Sequence, residues 1–170
     1  MALTLDGSAS VTINSGAVLG ITSGTAVATT SGTSIDFTGI PSWVKRITIA
    51  AFNTSTNGSS IVQFQLGTSG GVVTSGYAGA IQVGTVGQVF STGFMMTWNT
   101  AAGDSRHCVA TLINISGNTW VFGVNAAQSS QGFSGAGYIE LSGTLNRVRL
   151  TTVNGTDTFD AGSINILYEG

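Results

Sequence analysis

The sequence predicts an all-β protein, an antiparallel β-sandwich in jelly-roll order with an extended N-terminal arm. Three observations lead there. Charged residues are only 7% of the 170-residue chain, against a usual ~25%, while Gly (25 residues), Ser, Thr, Val and Ile dominate. No window sustains a capped 3.6-residue apolar period, so a helical bundle is excluded, and 42% apolar content excludes disorder. Finally, about eight or nine short alternating segments follow one another over residues 35–170, separated by turn signals, as in an antiparallel sandwich.

Residues 1–34 stand apart. Four very short alternations, at 2–5, 10–13, 17–21 and 25–28, each close on Asp-Gly, Ser-Gly or Ser-Gly-Thr, with no aromatic and one charge, Asp6. Such a segment cannot bury enough surface alone, so a partner or copies of itself must order it. It reads as an extended arm or a small intertwined collar, and residues 35–170 as the sandwich domain.

From Ser34 the pattern strengthens. Ile35 and Phe37 lead to the turn at Gly39–Ser42, which holds the sole proline, and the strand 43–52 follows. Val62, Phe64 and Leu66 share one face of the next strand. Residues 77–83 and 88–90 are weaker strands broken by glycines, and 94–98 (FMMTW) is a short bulky one. A hairpin of 107–115 and 119–124 turns at Ser116-Gly117-Asn118, with Trp120, Phe122 and Val124 on one face. Residues 99–105 and 126–135 read as loops and 136–141 as a strand.

The last segment carries the clearest hairpin signal. Residues 145–152 put Val148 and Leu150 on one face, and 163–168 do the same with Ile164, Ile166 and Tyr168. Asn154-Gly155 and Asp160-Ala161-Gly162 supply turn residues, and 156–159 is a link or a small extra strand. Residues 144–150 also echo 43–49: apolar, polar, Arg, β-branched, polar, aliphatic. Early and late strands of one pattern are expected to meet in one sheet and close it.

Function classes are narrowed by what is scarce. Five Lys/Arg in a chain of net charge −2 form no basic stripe, which argues against nucleic-acid binding. Residues 1–6 have neither the basic region nor the apolar core of a secretory signal, and no run reaches membrane-span length, so no membrane insertion is expected. The four N-glycosylation sequons follow from composition. Cys108, the only cysteine, excludes an internal disulfide and reads as a small buried residue on a strand. Low charge suits a surface packed against identical neighbours, so a homo-oligomer is expected.

Catalysis is not expected. His107 and Cys108 are consecutive on a strand and point to opposite faces, out of reach for a nucleophilic pair. The seven carboxylates lie mostly in turns or at strand ends, with no cleft pair beside aromatics. Asn154, Asp157 and Asp160 offer oxygens to Ca²⁺, but turn formation explains them more simply, and no cofactor loop is present. Arg46, Arg147 and Arg149 either meet an anionic sugar or pair with acids across strands or subunits. The binding candidates are the loops 53–60, 99–106 and 126–135, since loop tips on a rigid sandwich carry recognition. Asn53, Asn57, Asp104 and Arg106 supply polar groups there. Trp98 and Phe133 beside them stack on sugar rings or belong to the core.

Residues 34–48 (SIDFTGIPSWVKRIT) and 145–169 (LNRVRLTTVNGTDTFDAGSINILYE) resemble a module of tail-fibre and other virion proteins of bacteriophages, especially aquatic ones including cyanophages. The opening MALTLDGS resembles the start of many such fibres. The matching residues are framework strands and turns. The resemblance implies a homotrimeric, exposed virion component, at the tail or the capsid surface. Only about 34 residues precede the module, where fibres have a long shaft, which points to a short tail appendage or a capsid decoration protein. The expected function is therefore host attachment: a short tail fibre or appendage whose arm contacts other virion subunits and whose sandwich binds host-surface glycan. The alternative is a decoration (cement) protein that stabilises the head without a ligand.

Overall fold

The computed structural model describes residues 20–98 and 100–170, with the backbone of two short strands before them. The expected segment at 2–5, parts of those at 10–13 and 17–21, and Asn99 lie outside the described residues. The chain runs through β1 (Thr12–Ile13), β2 (Gly16–Ala17), β3 (Thr22–Ser23), β4 (Val27–Ala28), β5 (Ser34–Thr38), β6 (Arg46–Thr56), β7 (Val62–Thr68) and β8 (Gly71–Val72). It continues through β9 (Ala78–Val83), β10 (Val86–Phe90), β11 (Phe94–Met95), β12 (Arg106–Ser116), β13 (Thr119–Gln128), β14 (Gln131–Glu140), β15 (Arg147–Thr152) and β16 (Phe159–Glu169).

β1 pairs with β2. Two larger antiparallel sheets make the sandwich. One has nine strands in the order β10-β9-β14-β13-β12-β6-β16, with β3 and β4 along the far edge of β16. The other has the order β11-β7-β15-β5, with β8 on the end of β7. Alternation decides what lies between them. Ile47, Ile49, Leu112 and Phe122 face in from the large sheet, and Phe64, Leu66, Val148 and Leu150 from the small one, all buried. Phe94 joins the layers: its ring stacks on Phe122 at 4.4 Å and meets Tyr77 and Phe90 edge-on at 4.9 and 5.7 Å. The expected strand at 94–98 is regular only over β11.

Expectations are corrected in three places. The echoing strands do not share a sheet, and 145–152 and 163–168, which carried the clearest hairpin signal, do not pair with each other either. β6 pairs with β16 in the large sheet and β15 with β5 and β7 in the small one, so the ribbon β6–β7 lies antiparallel to the ribbon β15–β16 across both layers. Period-two patterning specifies which face is buried and leaves the choice of sheet to the links. Second, residues 126–135 are not a loop. β13 continues to Gln128 and β14 starts at Gln131, with Ser129 at φ 53 in a tight turn. Gly135, one of the glycines that read as a loop signal, lets β14 approach β9, since a Cβ there would lie 2.9 Å from the Ala80 carbonyl oxygen; in the same strand pair a Cβ on Gly79 or Gly137 would lie 2.5 or 2.7 Å from the Phe90 ring. Third, β6 runs through Thr56, which shortens the loop expected from residue 53.

The described part of the arm is docked. β3 and β4 pair with β16, and Gly24 and Thr29 bond its carbonyls at Ile166 and Gly162. Two arginines pair across strands, Arg46 with Glu169 at 2.5 Å and Arg149 with both oxygens of Asp36 at 2.7 Å.

Candidate functional site

The inward set Ile47, Ile49 and Ala51 fixes the parity of β6, so the next residue, Phe52, must point out of the large sheet. It is 67% exposed. Asn53 follows in the left-handed region at φ 52, where two residues of β6 oppose one of β12 in a bulge. On the other flank β16 answers with Gly162 at φ 96. A Cβ there would lie 2.4 Å from the carbonyl oxygens of Phe52 and Asn53, so only glycine lets β16 follow the bulge.

A closed set of hydrogen bonds holds Asn53 in this conformation. Its backbone N–H donates to His107 Nδ1 at 3.1 Å. With Nδ1 accepting, Nε2 carries the proton and faces Ser105 Oγ at 3.3 Å. The Ser105 hydroxyl in turn donates to Asn53 Oδ1 at 2.6 Å. The His107 ring lies 5.3 Å from that of Phe52, tilted by 53°. Beside them Val109 is exposed, and Ala50 and Ala127 floor a shallow apolar trough with Asn125 on its far side. Locally strained backbone persists where its surroundings over-determine it, and such places cluster at functional sites.

The trough is suited to binding. It presents an exposed aromatic face for the C–H side of a ring and, at its margin, carboxamide, hydroxyl and imidazole groups. Cys108 points the other way and is buried, and burial pushes its thiol pKa up to about 12, so it is no partner for His107. Among the described residues no group of three or more His, Cys, Asp or Glu side chains is placed to hold a metal. Asp157 accepts from Asn154 Nδ2 and the Ser60 N–H, and Asp160 from the Ser55 hydroxyl.

The expected site residues separate. Asn53 is at the centre. Asn57 is exposed, but its amide oxygen accepts from the Thr158 N–H at 2.8 Å and its own N–H bonds the Thr158 carbonyl, so it clasps two links. Asp104 shapes its loop, accepting from the Ala101 N–H at 2.6 Å and Gln128 Nε2 at 2.9 Å. Arg106 is fully buried and donates to the carbonyls of Asp104 and Ala101. Burial lowers its pKa, opposed by the charges of Asp104 and Asp160. Phe133 faces the core from β14, and Trp98 packs half-buried against it. Phe52, Ser105, His107 and Asn125 were not among the expected site residues. Parity from Ile47 and Ile49 was the signal for Phe52, and nothing local marked the bulge.

Comparison with family models, curated proteins and solved structures finds no match.

Proposed function

We propose that this chain is a non-enzymatic phage virion protein, a short tail fibre or appendage, whose sandwich binds host-surface glycan in the Phe52–His107 trough. The trough carries the reading. An aromatic two-thirds exposed on a strand, with exposed Val109 on the same outer face and rimmed by the only histidine and an asparagine in a strained conformation, is the kind of polar-edged apolar surface that binds ligands. A pyranose would lay its apolar face on Phe52 and Val109 and direct hydroxyls to Asn53, His107 and Asn125. The virion assignment rests on the resemblance of residues 34–48 and 145–169 and on the scarcity of charge, which suits a homotrimer attached to other virion subunits through residues 1–34.

Glycan arrays with the intact protein, followed by titration of any hit against Phe52→Ala, test this. The expected result is at least a roughly tenfold loss of affinity with an unchanged melting curve. Binding indifferent to Phe52→Ala would move the ligand elsewhere. No binding at all would favour the head-decoration alternative, for which particles lacking the protein should release DNA at lower temperature.

A further inference from the structure

The two edges of the nine-stranded sheet are finished differently. The β16 edge is covered by the chain's own β3 and β4. Among the described residues the opposite edge, β10, pairs only with β9. Proteins guard an open edge with Lys, Pro, an inward charge or a bulge. β10 (VGQVF) has none of these, and no charged residue or proline stands anywhere between Arg46 and Asp104. It carries apolar side chains on both sides, with Gln88 between Val86 and Phe90 on the core side. Val89, beside Ala80 on the outer face, is 73% exposed. Val86, beside Val83 on the core side, is 55% exposed at the end of the strand.

The chain also contains a segment of the kind such an edge accepts. Residues 2–5, Ala-Leu-Thr-Leu, alternate like β3 and β4, which already add to a sheet edge, and they end at Asp6-Gly7. In the same molecule they start from the wrong side. The arm leaves the sheet at Thr22 on β16, seven strand spacings from β10, about 34 Å in a straight line. The β1–β2 pairing folds back residues 12–17, and the twelve remaining steps together with the roughly 5 Å across that pair reach about 45 Å at full extension, which leaves little slack for a path around the sandwich. A neighbouring copy has no such limit.

We infer that residues 2–5 of one copy add as a strand to the free edge of β10 in the next copy. Leu3 and Leu5 then cover Val86 on the core side, and the ladder satisfies the open backbone groups of β10. The contact is heterologous: each copy donates one arm and receives another, so three copies close a ring. This rests on the homo-oligomer proposed above and names its joint.

The test uses the full chain and two variants, Val86→Lys on the acceptor and Leu3→Asp/Leu5→Asp on the donor, with mass measured by light scattering and folding by thermal melts. Val86 is exposed, so its variant should fold. The expected result is a closed oligomer for the parent chain and single-chain mass for both variants with parent-like melts. Independently, a cysteine at Leu3, Thr4 or Leu5 combined with Gln88→Cys should give an interchain disulfide, while buried Cys108 stays out of the exchange. An oligomer that survives both variants, or one lost only in the donor variant, overturns the inference and leaves the homo-oligomer standing on another surface. Lack of crosslinks at every donor position overturns it too. A parent chain that is monomeric at all concentrations removes the homo-oligomer and the inference together.

Discussion

The outer faces of the two sheets are opposites. On the small sheet the outward side chains are polar and largely engaged, the buried Nε of Arg147 excepted. Asp36 and Arg149 form a bidentate pair, and the same hydrogen bonds raise the guanidinium pKa. Gln63 accepts from the Thr92 hydroxyl and Gln65 donates to the Thr92 carbonyl, both covered by the chain at 91–93. On the large sheet the outward side chains include Phe52, Val89, Val109, Ile113, Val121 and Tyr138, all exposed. Ile113, Val121 and Tyr138 sit side by side across three strands. One face is polar and largely satisfied within the chain and the other leaves apolar area in water, which a single soluble molecule rarely does over a contiguous patch. The small sheet stabilises; the large sheet is available.

The contrast makes substitutions fall into kinds. The largest effect is expected at Gly162, where the large-sheet face meets its own scaffold. Gly162→Ala places a methyl group against two carbonyls at a backbone angle that suits glycine, and should cost about 2–4 kcal/mol in denaturant unfolding. It should also abolish ligand binding, because the bulge that presents Phe52 and Asn53 cannot form. Parent-like stability for Gly162→Ala would mean that the bulge is not built as described.

On the small sheet, Gln65→Ala leaves the Thr92 carbonyl without its donor under a covered surface, and a loss of about 1–3 kcal/mol is expected by the same assay. Ligand affinity should be untouched. Phe52→Ala on the large sheet is the mirror case. Stability should stay within about 0.5 kcal/mol while binding falls. If Gln65→Ala weakened binding and Phe52→Ala weakened the fold, the division between the faces would be the wrong way round.

Much of the framework was legible in the sequence because alternation reports burial directly. Ile47 and Ile49, Phe64 and Leu66, and Val148 and Leu150 face the core as their spacing requires. What alternation cannot report is which of two equivalent sheets a strand joins, which is why residues 43–49 and 144–150, alike in pattern, end in different layers. Composition misled at 126–135, where Gly135 lets β14 lie close against Ala80 and Ile81 of β9, an approach that no local signal reveals. The site was legible in part. Asn53 was expected on a loop and lies instead in a bulge, whose hydrogen bonds come from Ser105 and His107 more than fifty residues away. Arg106 looked like a surface donor, and only the carbonyls around it show that it braces its loop from within.

The smallest effect is expected where the two regions join. Residues 153–158 carry the chain from β15 in the small sheet to β16 in the large one. There Asp157 accepts from Asn154 Nδ2 at 2.6 Å and from the Ser60 N–H at 2.8 Å, and these bonds, the Asn154 one first, hold its carboxyl below the ordinary carboxylate range. A carboxylate whose folded-state pKa is depressed contributes stability that is fully present above its unfolded value of about 3.9 and is lost as pH falls through the lower folded value. The group is only partly buried, so screening keeps the contribution small. Asp157→Asn should therefore be slightly less stable than the parent at neutral pH, and the gap should close as pH drops below about 4. Amide exchange at Ser60 should quicken over the same interval. A gap that stays constant down to the lowest pH at which both chains fold would show that the ionised carboxylate does not tie the links, and that the two sheets are joined by core packing alone.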